Sequence, residues 1–231
     1  MRRRKKKSPG TALLALIVFA AALFIVQAHN RANGSSDNHA AAGEPIVASQ
    51  NLLLAGKTIV LDAGHGGKDA GSIGQQGTFE KDVTLQTVLH IRDELVKRTG
   101  AKVILTRPDD ETVSLDERVE VANNSNADVF ISIHYDAFES NDVAGMTTYY
   151  YNEADSGLAE LMHSELVKSI DAKDRGVKVG NYQVIRENTR PALLLELGYI
   201  SNQAEEERML SAAFQETVSS AIASGIIDYL S

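Results

Sequence analysis

The sequence predicts an α/β fold: a twisted, mostly parallel but mixed sheet flanked by helices on both faces, in a single domain. Two observations carry this. From Gly56 onward, short β-branched or apolar runs alternate with longer segments of helical spacing, the order of strands joined by crossover helices. Several of those runs are apolar throughout, as in strands covered on both faces. A mixed sheet is expected because Met146–Val184 reads as hairpin-like.

Thr58–Asp62 (TIVLD) is a short buried strand that runs into the glycine-rich Ala63-Gly64-His65-Gly66-Gly67. Lys81–Arg98 places Leu85, Val88, Leu89, Ile91, Leu95 and Val96 at amphipathic helical spacing, and Gly100 is positioned to stop that helix. Lys102–Thr106 is the next strand. Ser114 can cap a helix through Leu115, Val119 and Ala122, with Glu117 at the reciprocal capping position. Asp128–Ile133 and Met146–Tyr151 read as strands, Gly157–Ile170 as a helix and Ala192–Leu195 as a strand. Ala204–Leu230 holds one or two closing helices.

The 231 residues do not all belong to this domain. Arg2, Arg3, Arg4, Lys5, Lys6 and Lys7 precede an apolar run from Ala12 to Val26, the pattern of an export signal. Residues 1–28 are therefore expected to be a signal peptide or a membrane anchor, with cleavage after Ala28 left open. Residues 29–55, rich in Asn, Ala, Gly and Ser, are expected to be a flexible linker. Residues 56–231 are expected to form the globular domain, placed outside the cytoplasm. There is no cysteine, which excludes disulfides and every thiol nucleophile. The net charge is −8, and residues 1–55 carry seven basic groups against Asp37 and Glu44, leaving −13 on the remainder. Such a domain is repelled by phosphate backbones, so nucleic acid is not an expected partner.

Three polar residues fall at the ends of apolar strands: His65 after TIVLD, His134 after DVFISI and Glu196 after ALLL. Groups at the carboxyl ends of strands in an open α/β sheet gather in one crevice. Glu80, at the start of the first helix, can reach the same place. Two imidazoles and one carboxylate make a three-ligand metal site with a fourth position open for water, and Glu196 is then free for proton transfer. Each residue also has a plainer reading. The glycines can simply permit tight turns, His134 can be a satisfied half-buried histidine, and Glu80 can serve the helix dipole. Glu196 is the most informative, because a carboxylate inside Leu193–Leu197 is costly to bury without a role. His90 and His163 read as solvated on polar helix faces.

Together the blocks Ile59–Gly67, Glu80-Lys81-Asp82, Thr106-Arg107, Leu115–Arg118, Ser132–Ala137 and Pro191–Asn202 resemble the zinc-dependent N-acetylmuramoyl-L-alanine amidases of the amidase 3 type, from about Lys57 to the end. The resemblance implies one Zn²⁺ per chain on His65, Glu80 and His134, with Glu196 as the catalytic general acid/base. It implies peptidoglycan as substrate, cut between N-acetylmuramic acid and L-alanine. Arg107 and Arg118 are expected to form ion pairs that hold loops. Asp136–Pro191 is too short for the inhibitory helical insert of some relatives, and no wall-binding module is visible. Targeting then rests on the N-terminal segment, the catalytic domain or a regulatory protein partner, and the chain is expected to act as a monomer. Two rivals stay in view: a non-cutting family member that only binds wall or a partner, and a carboxypeptidase of the same fold. No Gly-x-Ser-x-Gly turn supports a serine hydrolase.

The export reading has a direct check. A reporter fused after Ser231 that works only outside the cytoplasm should be active. Full-yield folding of a cytoplasm-dependent reporter at the same position overturns it.

Overall fold

The structure, a computed structural model, describes residues 53–231. The expected signal or anchor, and nearly all of the expected linker, lie outside the described residues. Among the described residues no helix is long and apolar enough to cross a membrane. The packed body reaches back to Leu54, just before the expected boundary. Leu54 is buried, and its N–H donates to Thr99 O at 3.0 Å.

Six strands form one sheet: β1 (Thr58–Ala63), β2 (Lys102–Leu105), β3 (Val129–Asp136), β4 (Met146–Tyr150), β5 (Asp174–Val179) and β6 (Ala192–Tyr199), in the order β2-β1-β3-β6-β4-β5. β2, β1, β3 and β6 are parallel, and β4 runs antiparallel to β6. The sheet is mixed as expected, but not because of a hairpin. β4 and β5 are parallel to each other, joined by a helix over Ser156–Ser169, because parallel neighbours need a crossover. The reversal sits at the β4–β6 pair.

Among the described residues six α-helices flank the sheet: α1 (Glu80–Thr99), α2 (Leu115–Asn124), α3 (Ser156–Ser169), the one-turn α4 (Gln183–Arg186), α5 (Gln203–Met209) and α6 (Ala212–Leu230). One apolar cluster joins Ile59, Leu61, Ile131, Ile133, Leu193 and Leu195 to α1, α3 and α6. A smaller one joins Val60, Phe130, Ala192 and Leu194 to Ala122 of α2 and Val184 and Ile185 of α4. Alternate residues of each strand thus serve opposite faces, which is why these strands read as apolar throughout.

The local signals explain the helix boundaries. Ser114 and Glu117 make the reciprocal capping box of α2. Gly100 closes α1 in the left-handed conformation at φ 68°. In α1, Val83, Val88, Ile91 and Leu95 are buried, whereas Val96 stays 55% exposed.

His163 corrects its expectation. It is buried, with Nδ1 3.0 Å from Thr148 Oγ1 and Nε2 2.8 Å from Asp174 Oδ1. It ties α3 to β4 and β5, because the strand crossover brings both under this helix. His90 is exposed as expected.

Asp62 of β1 is fully buried and accepts three hydrogen bonds of 2.6 Å: from Thr106 Oγ1, Ser132 Oγ and Arg118 Nη1. Burial alone raises its pKa, but Arg118, Ser132 and Thr106 outweigh this and hold it below the ordinary carboxylate value. The stability it contributes is therefore present above the unfolded pKa and lost as pH falls through the lower folded one. Asp62→Ala leaves Arg118 buried and unpaired and should cost about 3–5 kcal/mol in denaturant unfolding. Asp62→Asn should flatten the fall of Tm below about pH 4.

Candidate metal centre and active site

The chain turns sharply where β1 ends. His65 adopts φ 60°, a left-handed conformation uncommon outside glycine. Two buried arginines hold it there. Arg118 donates to Ala63 O and His65 O at 2.6 Å each. Arg107 donates to Ala63 O at 2.9 Å, Gly64 O at 2.9 Å and Lys81 O at 2.7 Å. Arg118 pairs with Asp62 as expected. Arg107 makes no ion pair among the described residues; its guanidinium fork binds backbone carbonyls and Thr84 Oγ1 instead.

Three sequence-predicted residues converge here. His65 Nε2 lies 3.1 Å and His134 Nδ1 3.0 Å from the same oxygen, Glu80 Oε1. The ligand atoms of His65, Glu80 and His134 all fall within 4.8 Å of one another. Tyr135 N donates to Glu80 Oε1 at 3.1 Å and Ser72 N to Oε2 at 2.9 Å, so the carboxylate has little freedom to swing. Burial raises its pKa, but His134 and His65 outweigh this and keep Glu80 ionised well below the usual range.

His65 Nδ1 lies 2.9 Å from Asp69 Oδ2. A carboxylate on the far ring nitrogen fixes the tautomer that leaves Nε2 free to bind a cation. Asp69 is the supporting residue that sequence reasoning missed. Its position four residues after His65 was the available signal.

The backbone is cleared for these side chains. A Cβ on Gly64 would lie 2.5 Å from His134 Nε2 and 2.7 Å from Nδ1. A Cβ on Gly71 would lie 2.7 Å from both Glu80 Oε2 and His65 Cδ2. Two nitrogens, one carboxylate and two glycines that make room for them fit a zinc ion.

Glu196 stands in the same cavity of about 570 Å³, lined also by His65, Glu80, His134, Asp136 and Tyr182. It is paired in register with His134, so both lie within their strands rather than beyond the ends. Burial, reinforced by Glu80 and Asp136, raises its pKa well above the ordinary value. One carboxylate is thus held ionised by imidazoles while the other is driven toward its protonated form. Opposed shifts of this kind mark different roles for the two groups.

The family described as N-acetylmuramoyl-L-alanine amidase matches residues 59–228. The chain belongs to this family. It is 41% identical over 191 residues to a probable cell wall amidase, LytH, of Staphylococcus epidermidis, covering 80% of this chain and 64% of that protein. It is 47% identical over 192 residues to a putative N-acetylmuramoyl-L-alanine amidase, YrvJ, of Bacillus subtilis, covering 81% of this chain but 37% of that one. The catalytic domain of the amidase CwlV from Paenibacillus polymyxa superposes with a TM-score of 0.74 at 42% identity, over 75% of this chain and 98% of that domain. The amidase fold expected from the sequence is therefore shown. The chain spans about two thirds or less of the length of these staphylococcal and Bacillus relatives.

Within this amidase domain the glycine cradle can be tested by itself. Gly64→Ala pushes a methyl group into the His134 ring, so metal content after purification should fall while the circular dichroism spectrum is kept. Gly157→Ala is the control. Its Cβ meets nothing within 4 Å inside α3, and it should retain metal and gain up to about 1 kcal/mol of stability.

Proposed function

We propose that this chain is a zinc-dependent N-acetylmuramoyl-L-alanine amidase that removes stem peptides from peptidoglycan outside the cytoplasm. The observation that carries this reading is the convergence of His65, Glu80 and His134 beside a buried, unpaired Glu196 in one cavity. Family membership supports the choice of amide.

His65 Nε2, Glu80 Oε1 and His134 Nδ1 would hold the zinc. When bound it supplies Lewis acidity, polarising a carbonyl and lowering the pKa of a water toward about 7. The chain's own residues do the rest. Asp69 keeps His65 in the tautomer that offers Nε2. Glu196 accepts a proton from the attacking water as its oxygen adds to the lactyl carbonyl of N-acetylmuramic acid. It then passes that proton to the alanine nitrogen as the C–N bond breaks. The products are a muramyl carboxylic acid and a free L-alanine amine. The cavity wall of Leu194 and Val184 limits water around Glu196 and keeps the proton on this path. In this reading residues 1–28 export or anchor a monomeric enzyme, and residues 29–55 link it to the domain.

Mass spectrometry of purified peptidoglycan digested with the zinc-loaded chain should show intact glycan strands and stem peptides with free N-terminal L-alanine. Cleavage inside the stem would favour a carboxypeptidase, and no cleavage a binding role. Glu196→Gln keeps the shape but cannot accept the proton. It should retain stoichiometric zinc while turnover falls by about 10²–10⁴. A folded, zinc-replete Gln variant with near-normal turnover refutes the general-base role.

A further inference from the structure

Glu196 Oε2 is buried and has no hydrogen-bond partner. Thr147 Oγ1, on the neighbouring strand, is in the same condition. Thr147 is 1% exposed and Glu196 7%. The two residues face each other in the antiparallel β4–β6 ladder. Directly opposed residues on such a pair project from the same face, with Cβ atoms about 4.5–5.5 Å apart. The strand pattern agrees. Leu194 and Tyr149, also register partners, both belong to the face covered by α2 and α4. Glu196 and Thr147, two residues along each strand, therefore share that face. Thr148, one residue on, points the other way, to His163.

A buried hydroxyl without a partner costs stability, and a buried carboxylate oxygen without one costs more. Among the described residues, no other pair of unpartnered buried side-chain oxygens occupies facing positions on adjacent strands. One is a donor and the other an acceptor.

We infer that Thr147 is a positioning residue for Glu196: the two oxygens are not bonded as the side chains stand, and one water between them, or a rotation of the threonine side chain, lets its hydroxyl donate to Oε2. This rests on the reading of Glu196 as the general base. The bond anchors the sealed oxygen of the carboxylate and leaves the other toward the cavity that Glu196 lines. Antiparallel pairing makes this possible: a rigid ladder holds the donor, so the carboxylate cannot turn away when the substrate enters. It also gives a reason for the reversal of β4, which sets a polar side chain beside Glu196 where a continuation of the apolar sheet would leave it unsupported.

The test compares Thr147→Val and Thr147→Ser with the wild-type chain, zinc-loaded, on a soluble muramyl peptide. Valine keeps the shape and removes the hydroxyl; serine keeps the hydroxyl and removes the methyl. The expected result for Val is a fall in kcat of about 10–100-fold with KM and zinc content unchanged. Its Tm should change little, since valine fills the same space and the bond that is lost serves the orientation of one carboxylate oxygen. Ser should restore most of kcat. In a Glu196→Gln background, Thr147→Val should lower kcat no further. Wild-type kcat in Thr147→Val overturns the inference. So does a loss in which Val and Ser are equally impaired, or in which Tm and zinc fall together, since that is a packing role. If Glu196→Gln alone is active with zinc bound, the general-base reading fails instead.

Discussion

A carboxylate buried in the first strand must be surrounded, and the site is built from the groups that surround it. Asp62 draws Thr106 from the end of β2, Ser132 from β3 and Arg118 from α2 onto one point. Arg118 has donors to spare, and it spends them on Ala63 O and His65 O. Arg107 adds Gly64 O and Lys81 O. Through these carbonyls the strained turn that carries His65 and the first turn of α1 that carries Glu80 are held by the same pair of guanidiniums. These two proposed ligands, separated by a loop, are thus fixed relative to each other by the protein alone. The energy that holds φ 60° at His65 comes from this buried network, not from the loop itself.

Glu80 and Glu196 show how one cavity can assign different work to the same side-chain type. Both are buried, and burial raises both pKa values. Glu80 escapes because two imidazoles and two backbone N–H groups address its oxygens. Glu196 has no such company, and the charges of Glu80 and Asp136 push it further up. A carboxylate kept ionised suits ligation; one poised near protonation suits proton transfer. The difference lies in the neighbours: His65 from the turn after β1, His134 and Tyr135 from β3 and Ser72 N for Glu80, against the like charges of Glu80 and Asp136 for Glu196.

The strands, the site quartet and the capping box were legible because their signals are local: apolar runs, polar residues breaking those runs, and a Ser-x-x-Glu spacing. What was not legible depends on strands meeting in space. The β4–α3–β5 crossover looked like a hairpin because periodicity carries no direction of travel. His163 looked solvated because its helix position is polar by sequence, while its partners, Thr148 and Asp174, come from two strands that pack beneath it. Arg107 was read as an ion pair because guanidiniums usually find carboxylates at surfaces. Buried beside a glycine-rich turn it meets bare carbonyls instead. Asp69 was overlooked because a carboxylate four residues from a histidine means little until the turn between them is known.

The topology also bears on how such a domain can work near a membrane. His65, His134 and Glu196 lie toward the C-terminal ends of parallel β1, β3 and β6. The chain enters at the other edge, where Leu54 is fastened to Thr99 just ahead of the first residue of β1. On the reading that residues 1–28 are retained in a membrane, the link to the domain therefore attaches on the side away from the cleft. About 25 residues of linker span at most about 90 Å when extended. With a net charge of −13 on residues 56–231, the domain's overall charge would oppose rather than aid docking on an anionic wall. On that same reading, access to substrate would depend on tethering and on the shape of the cleft, and the length of residues 29–55 would help determine where the proposed enzyme cuts.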